Sequence, residues 1–499
     1  MESSLTGRVA RGLSWTGVAQ VADYLITLAA LAVLARLLSP ADFGAQAAAA
    51  VVIGVALMVS DLGLGSALIQ APSLRRTDIR RATVVCLCSG LALCTLAFAL
   101  SPWISRAFQG EAQVRALLRV LSLCALLHPA GAIPRALMTR SMDFRRLALI
   151  DAAAALASAI TSVALALHGA GAHSLAWGYV VRVAISSGTA WMVRRGDDPR
   201  SPIPDPRSPI PLLRFGFHAT GAGLLNYLSA SVDYLLVGRY LGPTALGLYY
   251  LAYQLVSLAH FKGVSVLLRV LLPAFAAIQG DLDRLRRGYL RAVRGIALFA
   301  FPILALLCAL SREVVAVFYG PGKEPAIPLV QILCALGIAK AVGGAVGPIF
   351  LARGRADIAL LWNLFALAAT TVAVAAGIPF GVEGVAVAVS LNALLLLAVS
   401  EAVVHRLIPL GFRAYLAALS PALLAAACAG IATGYGMTFV RPRALLPPLG
   451  LIFGAGFGGG VYLALMYAID RKGLSEVGEF IRTWRARRKT GLDSSPESA

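Results

Sequence analysis

The chain has 499 residues, 59% of them hydrophobic and only 14% charged, with a mean hydropathy of +0.79. A water-soluble globule cannot hide that much apolar surface, which excludes a soluble enzyme, a secreted disulfide scaffold and a disordered chain. The 44 Lys and Arg against 24 Asp and Glu give a net charge of +20, but uncharged runs recur from end to end, so the basic excess speaks for membrane topology and against a nucleic-acid partner. The fold class this implies is all-α, a polytopic membrane protein.

A spanning helix needs about 20 predominantly apolar residues. Apolar windows predict fourteen spans, at 15–35, 45–70, 82–103, 115–138, 147–168, 174–193, 213–238, 245–271, 292–311, 326–352, 357–378, 384–404, 414–438 and 446–468. Arg8 and Arg11 precede the first, and no A-x-A-like cleavage site follows it, so it is expected to be retained. With the N-terminus in the cytoplasm, 31 of the basic residues fall in cytoplasmic segments and nine on the opposite side. That asymmetry predicts both termini cytoplasmic. The two faces are called here the basic side and the turn side. All seven cysteines lie in apolar runs without a CxxC pair and read as small buried hydrophobes.

Residues 194–214 hold six prolines and a near-duplicated RSPIP, a composition that forbids helix and favours an extended linker. It separates an N-terminal lobe, 1–193 with spans 1–6, from a C-terminal lobe, 215–405 with spans 7–12. Spans 13 and 14 occupy 406–470, and 471–499 form a basic tail. The second lobe echoes the first. ARLLSPADFG at 35–44 matches GRYLGPTALG at 238–247, aligning Pro40 with Pro243 and Gly44 with Gly247. Six helices per repeat give both halves the same orientation, with the functional site expected between them near the midplane. In the tail, Leu474, Val477, Ile481 and Trp484 make an apolar stripe flanked by Arg482, Arg485, Arg487, Arg488 and Lys489. This suits a helix lying on anionic membrane lipids, and deletion of 474–499 is expected to leave the protein's activity largely intact.

There is no nucleophile elbow, Walker A, HExxH or metal-ligand set, so no enzyme and no metal are expected. Gly320-Pro321-Gly322-Lys323 reads as an external turn rather than a phosphate loop. Ionisable residues inside spans carry the information, because each is costly in hydrocarbon and by default faces a wet cavity or a partner. Thr16, Gln20, Asp23 and Thr27 form one stripe on the first span, and Asn226 and Asp233 share a stripe on the seventh. Arg182 lies mid-span in the sixth, Lys340 near the centre of the tenth, and Lys262 is a reserve cation on the eighth. Arg182 and Lys340, one from each half, are expected to converge on a central cavity and hold an anionic group such as pyrophosphate, with Gln20 and Asn226 beside them. A buried ion pair is the competing reading. Asp23 and Asp233 are candidates for a coupling proton or sodium ion, and no other cofactor is expected. Asp61, Asp151 and Arg135, nearer the span ends, read as interfacial or structural, and Arg135 could snorkel.

Several segments resemble Wzx-type polysaccharide flippases, in particular the branch of colanic-acid-like exporters. They are ARLLSPADFGAQAAAAVVIGVALMVSDLGLGSALIQ at 35–70, AIPRALMTRSMDFRRLA at 132–148, GAGAHSLAWGYVV at 169–181, DYLLVGRYLGPTALGLYYLAYQLVSLA at 233–259 and LPAFAAIQGD at 272–281. The resemblance covers roughly residues 5–410 and implies the multidrug/oligosaccharidyl-lipid/polysaccharide superfamily. It implies two helical lobes, alternating access and transport of undecaprenyl-pyrophosphate-linked glycan units across the bacterial inner membrane, with a polysaccharide polymerase complex as a further partner. An ion-coupled multidrug exporter of the same superfamily is the alternative, disfavoured by three candidate cavity cations. A non-transporting scaffold of glycan synthesis is another, disfavoured by charges retained in both lobes.

Overall fold

In a lipid core every backbone polar group must find its partner within the protein, which leaves helices as the solution for a chain of this composition. The computed structural model describes the backbone of residues 2–60, 62–70, 76–194, 210–440 and 447–471, and among these residues there is no strand. Most of the 194–214 linker, Asp61 and the tail helix expected over 474–489 therefore lie outside the described residues, as do the side chains of 1–19 and 258–270, Lys262 among them.

The first half runs α1 (Glu2–Leu37), α2 (Pro40–Ser60), α3 (Leu64–Gln70), α4 (Arg76–Ser105), α5 (Glu111–Arg140), α6 (Phe144–Leu167) and α7 (Ala172–Arg194). The second runs α8 (Ile210–Tyr240), α9 (Gly242–Ala277), α10 (Leu282–Ala309), α11 (Ser311–Phe318), α12 (Ala326–Gly343), α13 (Val346–Ala352), α14 (Ala356–Gly377) and α15 (Gly381–Leu407). Finally come α16 (Phe412–Val440) and α17 (Pro447–Ile469). Ten stretches of the described residues are long and apolar enough to cross a membrane, one of them, Leu361–Leu407, taking in both α14 and α15. The protein is a multi-pass helical membrane protein.

The two halves pack in the same order. In the first, α1 lies on α6, α6 on α7, α7 on α5, and α5 on both α2 and α4; in the second, α8 lies on α14, α14 on α15, α15 on α12, and α12 on both α9 and α10. α16 packs against α10 and α17 against α16, outside this repeated pattern. Two helix starts carry a side-chain cap. Asp143 accepts from the Arg146 amide at 3.2 Å and Asp281 from the Arg284 amide at 2.9 Å. That backbone hydrogen bond holds the exposed Asp281 carboxyl below its usual range.

The halves meet along a seam that is tightest on the turn side. There the first turns of α2 and α9 cross, with Gly44 against the Pro243 carbonyl and Gly247 against the Pro40 carbonyl. No Cβ fits at either glycine, so the backbones approach as closely as backbones can. Phe43 stacks on Tyr250 with ring centroids 6.3 Å apart. Around this crossing Gln109 Nε2 donates to the Tyr240 carbonyl at 3.2 Å, Arg36 Nη2 to the Val317 carbonyl at 2.5 Å, and Lys323 Nζ to the Leu38 carbonyl at 3.0 Å. Further in, the Tyr227 hydroxyl of α8 donates to the Ala50 and Val51 carbonyls of α2 at 3.4 and 3.3 Å. α8 packs along α2 and α3, whereas the pair related by the repeat, α1 and α9, makes no comparable contact among the described residues.

Four sequence expectations need correction. The span 45–70 is two helices, broken at Leu62 and Gly63, both with positive φ (51° and 66°). The span 326–352 is likewise divided, after Gly343. α11, absent from the apolar windows because it has only eight residues, covers the turn-side end of the second half with Val314 and Val315 buried. Lys323, expected in an external turn, sits in that turn but only 6% exposed, and burial holds its ammonium below the usual lysine value.

Candidate functional site

The charged stripe of α1 meets α7. Arg182 Nη2 donates to Asp23 Oδ1 at 2.5 Å, with side chains 34% and 22% exposed. A guanidinium left alone at this depth would cost ~2.5 kcal/mol or more on insertion scales, and a carboxylate one helix away is the least expensive remedy. Gln20 is half-buried one turn before Asp23, and Thr27 Oγ1 donates to the Asp23 carbonyl at 2.7 Å. The competing reading of the sequence, an ion pair, is thus what the first half contains.

In the second half, Asp233 of α8 is 4% exposed, accepts from the Tyr249 hydroxyl at 2.9 Å and from the Tyr234 amide at 2.9 Å, and lies in the field of Lys340. Lys340, in the last turn of α12 just before the Gly343 break, donates to the Tyr253 hydroxyl at 2.6 Å, and its ammonium stands 5.1 Å from the Tyr253 ring centroid. Asn226 is exposed two turns from Asp233. Elsewhere in this half, Asn392 Nδ2 of α15 donates to Thr370 Oγ1 of α14 at 3.1 Å.

Arg182 and Lys340 are each engaged within their own half, Arg182 by Asp23 and Lys340 by Tyr253. What links the two clusters is a group of tyrosines that sequence reasoning passed over. Tyr179 of α7 lies near both Arg182 and Tyr227, and Tyr234 lies near Tyr227, Tyr253, Asp233 and Tyr250. Tyr234 meets Tyr249, Tyr253 and Tyr250 at centroid distances of 5.8, 5.7 and 6.1 Å. The band therefore runs from Arg182–Asp23 through Tyr179, Tyr227 and Tyr234 to Asp233–Lys340, crossing from one half to the other. The signal was present in the sequence as Tyr227 and Tyr234, seven apart and each following a stripe residue.

Arg135 is also not a snorkelling cation. It holds Asp151 of α6 through two bonds, 2.8 and 3.1 Å, and Ser186 of α7 at 2.9 Å, tying three helices of the first half near the basic side. Among the described residues no group of His, Cys, Asp and Glu could hold a metal ion.

Comparison with known proteins settles the family. Residues 33–328 match the model of a family described as polysaccharide biosynthesis protein. The chain belongs to this family. It is 28% identical over 375 residues to the lipopolysaccharide biosynthesis protein WzxC of Escherichia coli K12, covering 72% of this chain and 73% of that one. It is 26% identical over 364 residues to the teichuronic acid biosynthesis protein TuaB of Bacillus subtilis 168, covering 72% and 74%. The fold of this family member is that of the lipid II flippase MurJ in its inward closed conformation, with a TM-score of 0.73 at 14% identity over 91% of this chain and 98% of that one. It also resembles an inward-facing multidrug-resistance MATE transporter of the MOP superfamily, with a TM-score of 0.62 at 16% identity over 77% and 95%. This member of the polysaccharide biosynthesis family thus shares its fold with MurJ and with MATE transporters.

Proposed function

We propose that the protein flips undecaprenyl-pyrophosphate-linked oligosaccharide units from the cytoplasmic to the periplasmic leaflet of a bacterial inner membrane, by rocking of its two halves. The observation that carries this reading is the tyrosine band joining a cationic cluster in each half. Flat aromatic faces with a hydroxyl edge suit the mixed apolar and polar faces of sugars, and Arg182 and Lys340 supply donors for phosphate oxygens. The relatives bear names from lipopolysaccharide, teichuronic acid and succinoglycan biosynthesis, three different glycans, the last of them named a transport protein. An amphipathic cationic drug would instead call for an acidic cavity. Asp233 is the better candidate for a coupling proton or sodium ion, because Asp23 already has Arg182.

The closed turn side implies that substrate enters from the basic side, and the weakly packed seam between α1 and α9 offers the lipid tail a route that keeps it in the bilayer. Lys340→Ala is expected to remove polysaccharide export at normal membrane abundance, with Tyr253→Phe intermediate because it loses one donor–acceptor pair and keeps the ring. Full export by Lys340→Ala, Arg182→Ala and their double mutant would overturn the site. Reporter fusions after Arg106, Lys323 and Arg441 should all report the periplasm; a cytoplasmic signal from all three would reverse the orientation.

A further inference from the structure

The outer surface of the first half carries a groove of roughly 450 Å³ lined by α4, α5 and α7, with Phe98, Arg119 and Trp177 at its walls. The repeat shows what such a surface requires. α4 and α10 correspond through Pro102 and Pro302. On α10 the matching stretch is covered by protein, since Tyr462 of α17 donates to the Leu298 carbonyl at 2.9 Å, Gly430 of α16 lies on Ala305, and Gly458 of α17 lies on Leu306. On α4 nothing comparable among the described residues covers it, and Phe98 remains 52% exposed.

We propose that this groove is a binding site for an anionic phospholipid of the turn-side leaflet, its phosphate held by Arg119. Arg119 is exposed, its guanidinium stands 5.3 Å from the Phe98 ring centroid, and no carboxylate among the described residues pairs with it. Its neighbour one turn away, Arg115, is already neutralised by Glu111. A free cation beside lipid therefore has one source of counter-charge, the headgroups.

The depth agrees. α4 and α5 have 30 residues each, about 45 Å of helix against a hydrocarbon core of about 30 Å. Arg119 lies eight residues past Glu111, about 12 Å below the turn-side end, so its Cα is just inside the hydrocarbon and its side chain reaches the phosphate level. Beside the guanidinium the walls are largely apolar, with Val120, Leu123 and the indole of Trp177, which suits an acyl chain. A transmembrane helix from another protein would fill the apolar part and leave Arg119 facing hydrocarbon, so lipid is the occupant the charge favours.

The test uses the full chain in phosphatidylcholine vesicles containing either brominated phosphatidylglycerol or brominated phosphatidylcholine. Quenching of Trp177 is taken as the difference between wild type and Trp177→Phe. The wild type should prefer phosphatidylglycerol about fivefold, the ratio corresponding to the ~1 kcal/mol contributed by one cation near a lipid surface. Arg119→Gln should abolish the preference while both lipids still quench, and Arg119→Lys should retain most of it. Equal quenching of the wild type by both lipids, or a preference unchanged in Arg119→Gln, would overturn the proposal. So would exclusion of both lipids together with oxidative cross-linking of Cys94 to a second chain.

Discussion

Gly44→Val is expected to abolish export while leaving the chain inserted in the membrane. A side chain at this position meets the Pro243 carbonyl, a backbone atom that cannot rotate away, at the point where α2 and α9 cross. Overpacking of this kind costs ~1–3 kcal/mol, and here it falls on the state in which the turn side is closed, because the contact is made across the seam between the two halves. At the upper end of that range the closed state loses about a hundredfold in population relative to the open one. Gly247→Val should do the same from the other half, since its neighbour is the Pro40 carbonyl. Gly434→Ala, which meets nothing within 4 Å, should behave as wild type. Export complementation scored with membrane abundance, together with alkylation of a cysteine placed at Ser39, reads both the loss and its cause. Wild-type export by Gly44→Val would remove the crossing from the transport cycle.

The second large effect is an asymmetry within the Arg182–Asp23 pair. Asp23→Ala should lower abundance more than Arg182→Ala. A stranded carboxylate can take up a proton and become neutral, but a stranded guanidinium stays charged. The pair is about a third exposed on the arginine side, so a coupling of about 1–2 kcal/mol is expected, less than for a fully enclosed pair. The double mutant Asp23→Ala/Arg182→Ala should regain abundance, and export should stay absent if Arg182 touches substrate. A double mutant that exports normally would leave the pair with a purely structural part. Measured as a double-mutant cycle on thermal stability in detergent, additive singles would show that the two side chains act separately.

Much of the fold was legible because lipid leaves a chain few choices: apolar windows locate helices, and the distribution of arginine implies an orientation. The breaks at Gly63 and Gly343 were visible as glycines but not as interruptions, since the hydropathy continues across them. The repeat was legible in Pro40 and Gly44 against Pro243 and Gly247; that the two copies touch each other was not, because a motif carries no information about its neighbours. For the site, position along a helix identified Asp23, Arg182, Asp233 and Lys340 as unusual. Partner choice was hidden. Arg182 and Asp23 are separated by 159 residues, and nothing local says that α7 lies near α1. Arg135 and Asp151 were more accessible, being 16 apart across one turn at similar distances from it. The tyrosines escaped notice because the same residue type also marks membrane interfaces, and only the centroid distances separate a cluster from a scatter.

Arg36 and Lys323 give the turn side a property beyond closure. The last carbonyls of a helix have no partner within it, and here the Leu38 carbonyl, just past α1, is satisfied by Lys323, while the Val317 carbonyl, in the last turn of α11, is satisfied by Arg36. Each half caps a helix of the other with a cation, the charge that a helix C-terminus favours. Parting the seam removes both caps at once, so the final turns of α1 and α11 become more prone to fray whenever the turn side opens. Amide hydrogen exchange at these two helix ends, far from any substrate contact, would then report the fraction of time the protein spends open.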